Sequence, residues 1–426
     1  MRIALHDMTA QQRALLLDEL KRRYSDYCAM NLKLDMSRGK PCPQQLALSD
    51  DILNAVRTAE DCFAEDGTDC RNYGATYGLP EMARIFAELL QVPQQQVIVG
   101  GVSSLNLMYD TVARAMSHGL ADSDKPWGEY ERVRFICPVP GYDRHCTICE
   151  HFGIEMLPVP LTGSGPDMDM VEALVAEDDT IKGMWCNPVY SNYTGECYSD
   201  ETLRRIAKMP AKAKDFTVFF DNAYCVHDLY GVPAKQISFY EACCEAGHAE
   251  RAVFFASTSK ITFAGGGVSC VAMGPENLAL AKQAMAVQFL SHDKLNQLRH
   301  ARVLRDLNTI RERMARHAAL LRPKFEAVDS VLTRELEGYG AAEWSKPMGG
   351  YFICLKLAYG AAKEVVAMCE KAGVKLTSAG AGFPRGEDPN NCFIRIAPTY
   401  PECDELLLAA ELLCVCTLIT ALEQQA

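Results

Sequence analysis

The sequence predicts an α/β protein built around one large, mostly parallel sheet of seven strands, with a second, smaller α/β layer beside it. From residue 97 onward, short apolar runs rich in β-formers alternate with helix-length segments. The runs are QVIVG at 96–100, VRFIC from 133, IEMLPV from 154, IKGMWC from 181, FTVFFD from 216, AVFFAS from 252 and GVSCVAM from 267. They are continuous rather than alternating in polarity, so they read as central strands covered on both faces by helices. The length, 426 residues, also exceeds what one hydrophobic core usually organises.

Helical patterns lie at 9–30 and 80–91, and a long one runs from about 275 to 328. In the last hundred residues, strand-like YFICLKL at 351 and CFIRIAP at 392 alternate with helical AAKEVVAMCEKAG and ECDELLLAAELLCVCTLITAL. The expected division is therefore an N-terminal segment, 1–50, joining a small domain of residues 311–426, with 51–310 forming the large domain. No internal repeat is visible.

Composition narrows the function. About half the residues are hydrophobic (49%) and under a quarter are charged (23%), the balance of an ordinary globular protein. A formal net charge of −12 argues against an extended basic face for nucleic acid. The N-terminus, MRIALHDMTAQQRALLLDEL, lacks the apolar core and cleavage site of a signal peptide, and no apolar run approaches a membrane span. Nineteen irregularly spaced cysteines without an export signal read as reduced thiols of a cytoplasmic protein. His145, Cys146, Cys149 and His151 resemble a ligand set, but no second CxxC pair accompanies them. A thiol-rich helix start is the better reading, and no metal is expected.

Five elements carry the chemistry. Lys260, in FFASTSKITFAGGGVS, follows an apolar strand, and the small residues around it leave room for a bulky ligand. A surface charge is the plain alternative; a partly desolvated amine that attacks a carbonyl is the functional one. Asp221 ends the strand FTVFFD, either as a helix cap or as a carboxylate at the carboxyl edge of the sheet, where α/β proteins bind ligands. There it could keep a pyridine nitrogen protonated, and Tyr224, three residues on, could donate to the ring's phenolic oxygen. Asn187, in CNPVY, reaches the same edge, although Asn-Pro is also a turn signal. VIVGGVSSLNLMYD reads as strand, glycine turn and helix, placing N–H groups at a helix start where a phosphate could sit. It matches neither the dinucleotide fingerprint nor the P-loop. Arg395 stands mid-strand in NCFIRIAPTY and should face a carboxylate, from the protein or from a substrate.

Together these motifs resemble the fold-type I pyridoxal-phosphate aminotransferases, close to the aspartate aminotransferases, over nearly the whole chain. SRGKP with STSKITFAGGGVS resembles a less-studied subgroup of them. The resemblance implies pyridoxal 5'-phosphate as cofactor, Lys260 as the Schiff-base lysine and Asp221 as the pyridinium partner. It also implies Tyr224 and Asn187 on the ring oxygen, with Tyr142 stacked on the ring. Gly101, Val102, Ser103 and Ser257 would hold the phosphate, reached by Tyr73 of the partner subunit in a homodimer with interface active sites. Arg395 would bind the substrate α-carboxylate, with Gly39 beside it. One departure stands out: the family usually has an arginine eight residues after the lysine, where this chain has Val268. Phosphate charge must then be balanced by the helix dipole and another basic group. For a distal carboxylate the candidates are Arg38, Lys40, Arg144 and Lys346, with Arg38 favoured because it adjoins Gly39.

The implied activity is amino transfer from an acidic amino acid, aspartate, to 2-oxoglutarate by a ping-pong mechanism. Alternatives are a carbon–sulfur lyase on the same fold, a non-catalytic pyridoxal-phosphate-sensing domain and a simple dinucleotide-binding protein. Small amino and 2-oxo acids are the expected partners, with neither nucleic acid nor membrane.

Overall fold

The computed structural model describes residues 2–231 and 235–425. Helix α1 (Ala10–Ala29) opens with a capping box between Thr9 and Gln12. Strand β1 (Leu34–Asp35), α2 (Pro43–Ala47) and α3 (Pro80–Leu90) follow. The large sheet then begins with β2 (Val97–Val99), α4 (Ser104–His118), β3 (Arg134–Val139), α5 (Asp143–His151) and β4 (Glu155–Pro160). It continues through α6 (Met168–Glu177), β5 (Ile181–Cys186), α7 (Asp200–Lys208), β6 (Thr217–Asp221), α8 (Phe239–Glu245), β7 (Ala252–Ser257) and β8 (Ser269–Met273).

The seven strands lie in the order β2-β8-β7-β6-β5-β3-β4. Strand β8 alone runs antiparallel to its neighbours, and the pairs from β7 to β4 are all parallel. All six residues of β5 are buried, as a doubly covered strand requires. Strand β4 departs from the expectation of a central strand: it closes one edge of the sheet and fully buries only Val159. Glu155 and Leu161 donate to the carbonyls of Val133 and Val139 at the two ends of β3, so Met156, Pro158 and Pro160 turn their backbones away from it. The two prolines remove N–H groups that would otherwise invite another strand.

The single long helix expected from 275 to 328 is instead three: α9 (Pro275–Gln288), α10 (Lys294–Leu304) and α11 (Leu307–Leu336). Asp293 and Asp306 start the second and third by accepting the backbone N–H groups of Asn296 and Thr309, and Arg305 adopts a left-handed φ of 51° between them. Strands β9 (Ala342–Trp344) and β10 (Ile353–Leu357), α12 (Ala362–Lys371), β11 (Val374–Lys375), β12 (Phe393–Ile396) and α13 (Cys403–Glu423) complete the fold.

Strands β12, β10 and β9 form an antiparallel sheet, and β1 pairs in parallel with β11, stitching the N-terminal segment to the C-terminal layer. Helix α13 corrects the expectation that no segment is long and apolar enough to cross a membrane. Its 21 residues suffice, but 78% of its most apolar window is buried inside the protein, where Leu412, Leu413 and Leu418 share a core with Leu20 and Leu332. It is a core helix, apolar all round because protein surrounds it. All nineteen cysteines are free thiols.

Candidate active site

The carboxyl ends of adjacent parallel strands bring the sequence motifs together. Cys186, Asp221 and Ser257 end β5, β6 and β7, so Asn187, Tyr224 and Lys260 emerge side by side. Lys260, Asp221, Tyr224, Tyr142, Asn187, Ser103 and Ser257 all line one cavity of about 170 Å³. The Lys260 ammonium lies 4.9 Å from the centroid of the Tyr224 ring. Burial lowers its pKa below the ordinary lysine value; the Asp221 charge opposes that shift and Arg395 adds to it.

Asp221 is 3% exposed. One of its oxygens, Oδ2, lies 3.1 Å from Nε2 of His145, while Oδ1 is buried with no hydrogen-bond partner. His145 stacks flat on Trp185, with centroids 4.3 Å apart and planes at 5°. Trp185 in turn donates from Nε1 to the Cys149 sulfur, 3.2 Å away. The two histidines of this cysteine-rich stretch thereby part. His145 turns toward Asp221, whereas His151 meets the Tyr109 hydroxyl at 2.9 Å, and no metal-binding group of three is present among the described residues.

Tyr142 caps α5 and meets His145 edge-on at 5.1 Å; burial pushes its phenol up to about 12. Asn187 donates through Nδ2 to the Asp221 carbonyl at 2.7 Å and accepts the backbone N–H of Asn192. Asn192 had given no signal in the sequence, lying in an irregular loop. Its Oδ1 accepts from Nη1 of Arg395 at 2.8 Å, which couples the ring end of the site to the arginine.

Arg395 projects from β12 and is 7% exposed. Its remaining contacts are Nη2 to Thr377 Oγ1 at 3.2 Å and to the Ser37 carbonyl at 3.4 Å, and Nε has no partner. No protein carboxylate pairs with it among the described residues. The guanidinium carbon sits 4.5 Å from the Phe352 ring centroid and 5.7 Å from that of Tyr193. Gly39 is required by this packing, because a Cβ there would stand 2.6 Å from Phe352 Cζ.

At the other end, Ser103 caps α4 by accepting the Leu105 N–H at 3.2 Å. Ser257 donates to Ser259, which donates to the Val102 carbonyl at 3.4 Å. Gly101 and Val102 do not line the cavity; the Gly101 carbonyl accepts from both the backbone and hydroxyl of Ser269. Val268 is 1% exposed and packs in the apolar core, its N–H held by Thr258 Oγ1, so that position offers no cation.

Tyr73 stands 79% exposed and does not line its own chain's cavity. Of the four distal candidates, Lys346 is paired with Asp329 at 3.2 Å, and the Lys40 ammonium sits 3.7 Å over the Tyr400 ring. Arg38 and Arg144 are exposed and make no ion pair among the described residues. Arg144 lies near enough to Tyr142 to lower its phenol pKa against the effect of burial.

Residues 8–426 match the aspartate amino-transferase family. An aspartate aminotransferase of Corynebacterium glutamicum is 42% identical over 424 residues, covering 100% of this chain and 98% of that protein. The crystal structure of an aspartate transaminase from the same organism superposes with a TM-score of 0.97, covering all of both chains at 42% identity. The α-aminoadipate aminotransferase of Thermus thermophilus, complexed with N-(5'-phosphopyridoxyl)-L-leucine, shares the fold at 20% identity. Its TM-score is 0.74, and the match covers 96% of each chain. The chain belongs to the aspartate amino-transferase family and is an aminotransferase.

Proposed function

We propose that this aminotransferase uses pyridoxal 5'-phosphate to move the amino group of aspartate to 2-oxoglutarate in two half-reactions. The observation that carries the reading is the Asp221 carboxylate, whose buried Oδ1 is an acceptor without a donor in the same cavity as Lys260, whose pKa burial lowers. A pyridinium N–H supplies the missing donor, so the residues fit the cofactor. When bound, the cofactor supplies a ring that draws electrons from the substrate Cα.

The chain's own residues do the rest. Asp221, oriented by His145, keeps a ring nitrogen protonated, and Tyr224 and Asn187 address the ring's phenolic oxygen. Tyr142 covers the ring face, and Ser103 and Ser257, which line the cavity, hold the phosphate together with the N–H groups at the start of α4. Burial favours the neutral amine of Lys260, the form that attacks a carbonyl and accepts the Cα proton of the amino acid. Arg395, without a carboxylate of its own, takes the substrate α-carboxylate through its planar fork beside Gly39. Arg38 reads the second carboxylate of aspartate.

Residues 51–310 form the cofactor-binding domain, with 1–50 and 311–426 as the second. Two copies pair as a cytoplasmic homodimer in which exposed Tyr73 reaches the phosphate of the other. Initial rates with aspartate and 2-oxoglutarate test the reading: parallel double-reciprocal lines are expected. Intersecting lines, or pyruvate release without a keto-acid acceptor, would overturn it.

A further inference from the structure

A buried imidazole lies against Lys260 that amino transfer, as described, does not use. His227, six residues beyond Asp221, is 4% exposed. Its Nε2 lies 3.4 Å from the carbonyl oxygen of Lys260, and its backbone N–H donates to the Tyr224 carbonyl at 3.0 Å. The ring meets those of Tyr224 and Tyr351 edge-on, each at a centroid distance of 5.5 Å.

The surroundings are cross-linked by hydrogen bonds. Gln45, fully buried in α2, donates to the Tyr351 hydroxyl at 3.0 Å and meets Nδ1 of His317 in α11 at 3.1 Å. Gly350 donates to the His227 carbonyl at 2.9 Å. The Tyr224 and Tyr351 rings thus flank the imidazole beside the lysine, and Gln45 holds the Tyr351 hydroxyl in place.

A carbonyl oxygen only accepts, so Nε2 carries the hydrogen. Burial pushes the imidazole down to about 3, which leaves Nδ1 bare, and that atom is buried without a partner. A leucine or phenylalanine would fill the space without stranding an acceptor. What the imidazole adds is the Nε2–H donor aimed at Lys260.

We propose that His227 is a positioning residue whose Nε2–H fixes the main chain of Lys260, and hence the arc through which its amine moves between cofactor and substrate. The proposal rests on Lys260 being the lysine that carries the cofactor. Its force comes from geometry, since a misplacement of about 1 Å in a reacting group can cost on the order of a hundredfold in rate.

The experiment compares His227→Leu and His227→Gln holoenzymes. Glutamine places its Nε2 near that of histidine and restores the donor; leucine fills the space alone. Both variants should bind cofactor and absorb in the visible. In His227→Leu, kcat should fall roughly tenfold to a hundredfold, KM for aspartate should stay close to the parent because Arg395 is untouched, and the pH midpoint of the bound cofactor's absorbance should move. His227→Gln should recover most of both. A leucine variant with parental kcat and midpoint, or one that changes KM alone, overturns the proposal. If leucine does not fold, His227→Phe, which also fills the space without a donor, takes its place: loss of kcat with a moved midpoint supports the proposal, and parental values overturn it. Lys260→Ala separates the two levels, because absorbance that survives there removes the underlying reading whatever His227 does.

Discussion

At one end of the cleft, Asn187 follows directly on β5, Asp221 ends β6 and Lys260 stands three residues past β7, so the hydrogen-bond ladder of neighbouring parallel strands sets where each emerges. At the other end, Arg395 reaches the carbonyl of Ser37 across 358 residues of sequence, and Asn192 joins it from a loop. The first end inherits its geometry from a buried seven-stranded sheet. The second is assembled from segments near both termini, β12 and the end of β1, which small separate sheets hold, and from the loop that carries Asn192. On the proposed reading, chemistry that tolerates little displacement falls to the first end and substrate choice to the second, where loop residues can change without disturbing the large sheet.

The contrast can be broken most severely at Lys260. Lys260→Ala should abolish turnover and remove the cofactor's visible absorbance, and a coloured, active variant would show that the sheet edge is not the reactive end. Next in size is Arg395→Lys. Loss of one charged hydrogen-bonding contact should lower kcat/KM for every amino-acid substrate by about 1.5 to 3 kcal/mol, with the absorbance unchanged; a loss confined to acidic substrates would contradict the α-carboxylate role.

A third effect probes the seam between the two ends. Burial pushes His227 down to about 3 and His317 to about 4, whereas the unfolded chain protonates them near 6.5. The unfolded state therefore binds more protons below pH 6.5, so this contribution to stability is complete above that pH and is lost as pH falls toward 4 and 3. Each group should cost about 1 kcal/mol of stability by pH 5.5. Melting curves from pH 7 to 5 should show the decline, and His317→Gln should flatten it; an unchanged slope would place the acid sensitivity elsewhere.

The smallest effect is expected at exposed Arg38. Arg38→Gln should weaken aspartate relative to alanine by up to about 1 kcal/mol, the scale of a solvent-screened charge pair. Equal losses on both substrates would remove Arg38 from the distal site and turn attention to Arg144.

Much of the first end was legible before folding. Lys260, Asp221 and Asn187 announced themselves because continuous apolar strands have definite ends, and a polar residue at such an end must emerge at the sheet's carboxyl edge. His145 was legible only as part of a cysteine and histidine cluster. Its partner Asp221 lies 76 residues away, and no local pattern encodes that pairing. Likewise the breaks at Asp293 and Asp306 were hidden inside a helical periodicity that continues through them, because apolar spacing does not reveal where a cap interrupts it.

By itself, then, the sequence determined the α/β alternation, the seven strands and the polar residues at their ends, since these depend on hydrophobic runs and short-range spacing. Tertiary structure alone decided that β4 lies at an edge, that α13 is swallowed by a core, that Asn192 links Asn187 to Arg395, and that His227 lies against Lys260. Each of these depends on packing between segments distant in the chain, whose meeting is set by the global burial of apolar surface and not by any pattern that neighbouring residues carry.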